Sequence, residues 1–200
     1  MGSFLILLVF LGGLVLLAGW AIGLYNTLVK RRNAWRNAFA QIDVQLQRRF
    51  DLIPNLVDTA KGYMAHERQT LEAVVAARAA AQSGLAAAKA HPGDPAAMAQ
   101  LAAAQGQLES TLGRLLAVAE AYPDLKANQN MMQLHEELTS TENRVAFARQ
   151  AYNDAVMAYN NQRETFPSVL LANAFGFGPA ALLEIPADRP EVREAPKVQF

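Results

Sequence analysis

The sequence predicts an all-α protein: an N-terminal transmembrane helix, then an antiparallel bundle of long helices, then an irregular, Pro-rich C-terminal tail. Three observations carry that prediction. From Phe4 to Leu24 every residue is apolar or Gly, and the first charged side chain is Lys30. Beyond it, apolar residues recur at alternating steps of three and four until about residue 165, the spacing that packs helices into bundles. Five of the nine prolines follow Thr165, and proline in a helix interior both removes a hydrogen bond and clashes with the preceding turn. The expected units are residues 1–24 (N-terminal segment and span), 25–165 (bundle) and 166–200 (aromatic and Pro-rich tail).

The apolar run from Phe4 to Leu24 is 21 residues long, and a helix needs about 20 to cross roughly 30 Å of hydrocarbon. A cleaved signal peptide is the competing reading. It calls for a basic n-region, a shorter apolar run and a small-x-small cleavage site. No Lys or Arg precedes this run, and Trp20-Ala21-Ile22 is a poor cleavage context, so an uncleaved anchor is expected. Lys30, Arg31, Arg32 and Arg36 follow directly as a juxtamembrane basic cluster. Residues 25–50 hold six basic side chains against the single acid Asp43. The positive-inside rule then puts the bundle on the cytoplasmic side of the membrane. Trp20 and Tyr25 stand where interfacial aromatics belong, and Gly19-xxx-Gly23 has the spacing that lets membrane helices approach closely.

Four apolar-periodic stretches follow. The first holds Leu28, Trp35, Phe39, Ile42, Leu46 and Phe50; the second runs from Ile53 through Leu56, Val57, Ala60, Tyr63, Met64, Leu71, Val74 and Val75. The third comprises Met98, Leu101, Gln105, Leu108, Leu112, Leu115 and Ala119, and the fourth runs from Met131 to Tyr159. Pro54 divides the first two: either Asp51 caps a new helix, or one very long helix is kinked. Because Pro disfavours an α conformation at Ile53, a bend near residues 50–54 is expected. His91-Pro92-Gly93-Asp94-Pro95 supplies a Gly stop, an Asp cap and a Pro at the first helical position. Asp124 is the expected cap of the last long helix. Ala fills 15 of the 29 positions from Ala76 to Ala104; its high helix propensity argues for a close-packed helical hairpin rather than a disordered tract. Arg48, Arg49 and Arg144 are candidates to pair Asp51, Asp58 or Glu142 across helices. In the tail, Phe166, Leu170, Leu171, Phe175, Phe177, Leu182 and Leu183 are too apolar for a free linker. They fold back on the bundle, bind a partner or lie in the membrane interface; a small satellite core is the default. Residues 185–200 read as extended, with Val198-Gln199-Phe200 as a docking tip.

Composition excludes more than it proposes. The formal net charge is zero, with 18 basic and 18 acidic residues, so the field that grips nucleic acid is absent. There is no Cys, which removes disulfides, thiolate metal sites, Cys nucleophiles and lipoprotein acylation. His66-Glu67-Arg68-Gln69-Thr70 begins like the zinc-protease helix but has Thr at the second ligand position. The residues three before His66 and His135 are Tyr63 and Met132, which cannot complete a di-iron Glu-x-x-His pair. Glu136 and Glu137 are adjacent, hence about 100° apart on a helix, and do not oppose each other. Gly176-Phe177-Gly178 lacks the strand and third Gly of a dinucleotide loop. No catalytic residue, metal ligand or cofactor site is read from the sequence.

Longer motifs carry a family resemblance. Tyr25-Asn26-xx-Val29, then AQIDVQLQRRFDLIPNLVDTAKGYMAHE (Ala40–Glu67), AYPDLKANQNMMQLHEELTSTENRVAFARQAYND (Ala121–Asp154), Phe166-Pro167 and Ala174-Phe175-Gly176-Phe177 resemble the signature of the LemA family. The resemblance covers about residues 25–200. It implies a membrane-anchored antiparallel helical bundle of bacterial origin with no established enzymatic activity. A magnetosome-associated branch is similar, which points toward membrane organisation. The sequence departs from the family twice: Ala181-Leu182-Leu183-Glu184 lacks the usual aromatic before the Glu, and Gly23-Leu24 stands where some relatives carry a lipoprotein Cys. Acylated relatives imply a bundle outside the cytoplasm, opposite to the charge bias. The expected function is a non-enzymatic, self-associating scaffold in the bacterial envelope. Its partners are the lipid bilayer, a second copy and an envelope protein, with neither nucleic acid nor a small-molecule substrate. The alternative is a membrane-remodelling protein using the basic cluster and the aromatic tail.

Overall fold

The computed structural model describes residues 1–184 other than Ala65. Among them there is no strand; the chain is all-α. Six helices follow in order: α1 (Gly2–Lys61), α2 (Arg68–Ala90), α3 (Pro95–Ala119), the single turn α4 (Pro123–Lys126), α5 (Gln129–Glu164) and α6 (Ser168–Ala174). The four long helices run up, down, up and down. Gly93 meets Trp35 at one end, and the Asn128 side-chain amide donates to the Tyr63 hydroxyl at 3.0 Å at the other. We call these ends the foot, nearest the apolar segment, and the tip.

The 60-residue α1 is about 90 Å long. Its inner stripe, Leu28, Trp35, Phe39, Ile42, Leu46, Phe50, Ile53, Leu56 and Ala60, is buried. The same three-four steps also pass through Arg32 and Arg49, whose apolar stems fill stripe positions; Arg49 is only 5% exposed. Helix α5 lies along this stripe and α2 pairs with α3. In the Ala-rich hairpin a Cβ on Gly84 would stand 3.3 Å from the Leu101 Cα, so Gly and Ala are there because the backbones nearly touch.

Pro54 does not break or re-start the helix: of the two readings, a new helix capped by Asp51 is excluded and one long helix runs on through residues 50–54. Its missing N–H strands the Phe50 carbonyl, four residues earlier. That carbonyl accepts from Arg78 Nε of α2 at 2.7 Å. A charged donor thus replaces the lost backbone bond, and α1 continues to Lys61. The second apolar stretch is therefore shared between two helices, and the phase resets at residues 62–67. Tyr63 and Val75, read as core, emerge 41% and 51% exposed.

The caps agree in part. Asp94 accepts from Ala97 N at 2.9 Å with Pro95 in the first turn, as the sequence predicts. Asp124 does not cap the last long helix: it sits in α4, and Asn128 caps α5 by accepting from Met131 N at 3.1 Å. The pairings of Asp51 and Asp58 also differ from those expected. Asp51 accepts from Gln47 and Asp58 pairs with Lys61, each within α1, while Lys89 reaches across from α2 to Asp43 at 2.9 Å.

The tail is not wholly irregular. After a cis Phe166–Pro167 bond the chain forms α6, and residues 177–183 then lie on the bundle with Phe177, Ala180 and Leu183 buried. Of the tail's apolar residues, Phe177 and Leu183 join the main core and Leu171 and Leu182 pack against it, whereas Phe166, Leu170 and Phe175 stay exposed. The expectations for residues 185–200, including Val198-Gln199-Phe200, lie outside the described residues.

A double-mutant cycle tests the Pro54 repair. Arg78→Met should destabilise the bundle by about 1–3 kcal/mol, because it leaves a buried carbonyl unpaired. In a Pro54→Ala background, where residue 54 supplies its own N–H to Phe50, the same change should cost much less. Equal costs in the two backgrounds, measured by chemical denaturation, would contradict the repair.

Candidate functional site

At the foot, three elements converge on the tail. Tyr152 and Asn153 and, seven residues on, Tyr159 and Asn160 face it from α5. The Tyr152 hydroxyl donates to the Ala181 carbonyl at 2.7 Å, and the Tyr159 hydroxyl donates to the Gly178 carbonyl at 2.8 Å. Each Asn grips one residue twice. Asn160 donates to the Ala180 carbonyl at 2.8 Å and accepts from Ala180 N at 3.1 Å; Asn153 does the same to Leu183 at 3.2 and 2.9 Å. The side-chain amides thus imitate a neighbouring strand and satisfy a backbone that has no ladder of its own. From the α2–α3 turn, the Gly93 carbonyl accepts from Ala181 N at 2.9 Å. Gly93 has φ +81°, and a Cβ there would press on Trp35 at 3.1 Å and Ala180 at 3.2 Å, so no other residue fits this turn.

Aromatic side chains fill the space beneath. Trp35 stands 6.3 Å from the Tyr152 ring and 6.2 Å from that of Tyr159, and Phe39 packs edge-on to Tyr152. Tyr25 makes edge contacts with Phe175 at 5.1 Å and Phe177 at 5.5 Å. Arg32 lies 4.8 Å over the Phe177 ring. Burial pushes the Tyr152 phenol well above its ordinary pKa. It also raises that of Tyr159, against the guanidinium groups of Arg163, Arg32 and Arg36, which lower it.

The residues singled out in the sequence fall into three groups. Phe4 and Trp20 are 67% and 56% exposed, Leu24 is half-buried, and nothing lies within 4 Å of a Cβ built on Gly19 or Gly23. The window of α1 apolar enough to cross a membrane has none of its residues buried. Lys30, Arg31 and Arg36 are exposed, Arg36 resting 5.5 Å over the Trp35 ring. Tyr25 and Arg32, by contrast, also make contact with the tail, through Phe175 and Phe177. Sequence reasoning missed Asn153 and Asn160; the signal was the Tyr-Asn pair repeated at a seven-residue interval.

The tip carries two apolar recesses. A cavity of about 610 Å³ between α1 and α2 is lined by Val57, Met64, Leu71 and Val75, with Lys61, Arg68 and Glu72 at its edge. A second, of about 290 Å³, is lined by Leu116, Ala119, Met131, Met132 and His135. Met side chains adapt to varied occupants. Among the described residues no group of three His, Cys, Asp or Glu is placed to hold a metal ion.

The raised phenols make the clasp sensitive to alkali. A phenol whose folded pKa lies above its unfolded value of about 10 contributes its stability fully below that value and loses it as pH rises toward the folded one. Tyr152→Phe should therefore cost about 1 kcal/mol at pH 8. The gap between wild type and variant should close above pH 10 in denaturation series at fixed ionic strength. A gap independent of pH would show that the hydroxyl is not held as described.

The LemA family profile matches residues 38–200. The chain is similar to magnetosome protein MamQ 2 of Paramagnetospirillum magneticum, 28% identical over 171 residues that make up 76% of this chain and 62% of the relative. Protein LemA of Metamycoplasma hominis is 26% identical over 145 residues, covering 72% of this chain and 62% of the relative. Magnetosome protein MamQ of Magnetospirillum gryphiswaldense is 25% identical over 181 residues, 78% and 65% of the two chains. The chain thus spans under two thirds of the length of these relatives. Helical architecture, quoted motifs and a match over most of the residues agree: the chain belongs to the LemA family.

Proposed function

We propose that this protein is a single-pass, membrane-anchored scaffold that acts by contact rather than catalysis. One observation carries the reading: α1 is a single helix from Gly2 to Lys61, apolar and unburied at one end and the central element of the bundle at the other. No flexible joint separates the segment suited to the bilayer from the segment that organises the core. The tip is thereby held about 55 Å beyond Leu24, counting 1.5 Å per residue to Lys61. The apolar recesses at the tip suit an envelope protein partner, and the open Gly19–Gly23 face suits a second copy of the span. The exposed Lys30 and Arg31 favour a bundle on the cytoplasmic side of the inner membrane.

Membrane organisation is the second reading. It draws on the exposed Lys30, Arg31 and Arg36, which suit anionic lipid, and on the named magnetosome relatives. Neutralising these three while keeping Arg32, which the tail needs, should then remove any effect of the protein on vesicle shape.

Photocrosslinking side chains at Gly19, Val75 and Met132 separate the parts of the scaffold reading in intact membranes. A Gly19 adduct of twice the chain mass supports self-association through the span, and a discrete heavier adduct at Val75 or Met132 supports a partner at the tip. A chain that resists alkaline extraction but forms no adduct at any of the three positions would overturn the scaffold reading. A chain recovered in the soluble fraction would overturn the anchor.

A further inference from the structure

Three large apolar side chains stand exposed within ten residues at the foot: Phe166 at 75%, Leu170 at 62% and Phe175 at 61%. They are not loose. Ser168 and Ala172, on the other face of α6, are 2% and 0% exposed, and Gln162 Nε2 donates to the Ser168 hydroxyl at 2.7 Å. Helix α6 packs on both α1 and α5, and Phe175 rests against Tyr25, the residue that follows the apolar run. From Phe166 to Leu183 there is no charged side chain. A water-facing surface would not keep such a segment uncharged around three fixed, exposed apolar groups.

We infer that α6, with Phe166, Leu170 and Phe175, is a second lipid contact: a short shelf lying in the interfacial zone of the bilayer beside the span. The inference rests on the anchor reading above. Its occupant follows from continuity, because the shelf adjoins the one segment of α1 that is apolar on every side. Depth agrees. Lys30 lies five residues beyond Tyr25, about 8 Å along the helix, which is close to the thickness of a headgroup layer. Apolar groups at the level of Tyr25 then meet the acyl boundary while Lys30 and Arg31 meet phosphates. The backbone of α6 is internally hydrogen-bonded, as a lipid-facing segment requires, and aromatic rings are favoured at this depth.

The absence of Cys makes the test direct. Single Cys variants Leu14→Cys, Phe147→Cys, Leu170→Cys and Phe175→Cys of the full chain are spin-labelled in phosphatidylethanolamine/phosphatidylglycerol vesicles. Accessibility to oxygen and to a water-soluble nickel chelate is then compared. Phe147, 73% exposed on the bundle, reports water. The inference expects positions 170 and 175 to favour oxygen over the chelate several-fold more than position 147, at a depth shallower than position 14. Chelate accessibility equal to that of position 147, with position 14 still in lipid, overturns the shelf and leaves the anchor standing. Position 14 in water overturns both. Shielding of 170 and 175 from both reagents, with spin–spin broadening, assigns the surface to a second copy and overturns the lipid assignment. Helicity matching the unsubstituted chain confirms that each variant is folded.

Discussion

The Arg78 guanidinium on the Phe50 carbonyl is the contact on which the architecture turns. Proline in a helix interior costs about 3 kcal/mol in an unprotected setting, partly through the carbonyl left without a donor. Here the donor comes from the antiparallel neighbour. Its presence has two consequences of different kind. Locally, it joins α1 to α2 close to the point where Ile53, Leu56 and Val57 enter the core. Globally, it lets one backbone run from the apolar end to the tip, so orientation set in one environment is transmitted to the other without a hinge.

At the opposite end the stabilisation comes from a different source. Residues 177–183 form neither helix nor sheet, yet their carbonyls and amides are met by Tyr152, Asn153, Tyr159, Asn160 and Gly93. Hydrogen bonds of this sort gain little each, but an unmet buried group costs more. The clasp is therefore close to all-or-none. Seating Phe177 and Leu183 requires the backbone between them to be satisfied, and satisfying it fixes both side chains. Trp35 ties the same cluster to α1, so the tail reports on the packing of the very helix that leads to the apolar segment.

Much of this was legible. Three-four spacing identified the buried stripes of α1, α3 and α5, because a helix shows its core face to any reader of its period. Asp94-Pro95 and Gly93 marked the hairpin, because cap chemistry is local. Most of what was missed depended on a residue distant in sequence; the cap of α5 is the local exception. Pro54 leaves a new helix or one long helix open until Arg78, 24 positions later, is placed beside Phe50. Asp124 reads as a cap until Asn128 takes that position after one turn of α4. The contacts of Tyr25 and Arg32 with Phe175 and Phe177 are likewise invisible until the tail, some 140 or more positions later, is placed beside them. The Asn residues of the clasp carry no signal in a search for apolar periodicity, since they act from the flank of the stripe.

That pattern bears on how the molecule controls geometry. A single span fixes the height of a bundle above a membrane but leaves its tilt and rotation to the packing around it. Features remote in sequence resist that freedom. The tail, returning through α6 to Tyr25, widens the foot from one helix to a cluster of helices and rings. If α6 lies in the bilayer interface as proposed, a wider foot would convert tilting from a bend of one helix into a motion that must lift several apolar groups out of lipid. The recesses at the tip, on the order of 55 Å away, would sweep widely for a small angular change. On the scaffold reading proposed above, presenting them in a defined place would depend more on the tail's grip at the base than on anything near the recesses themselves.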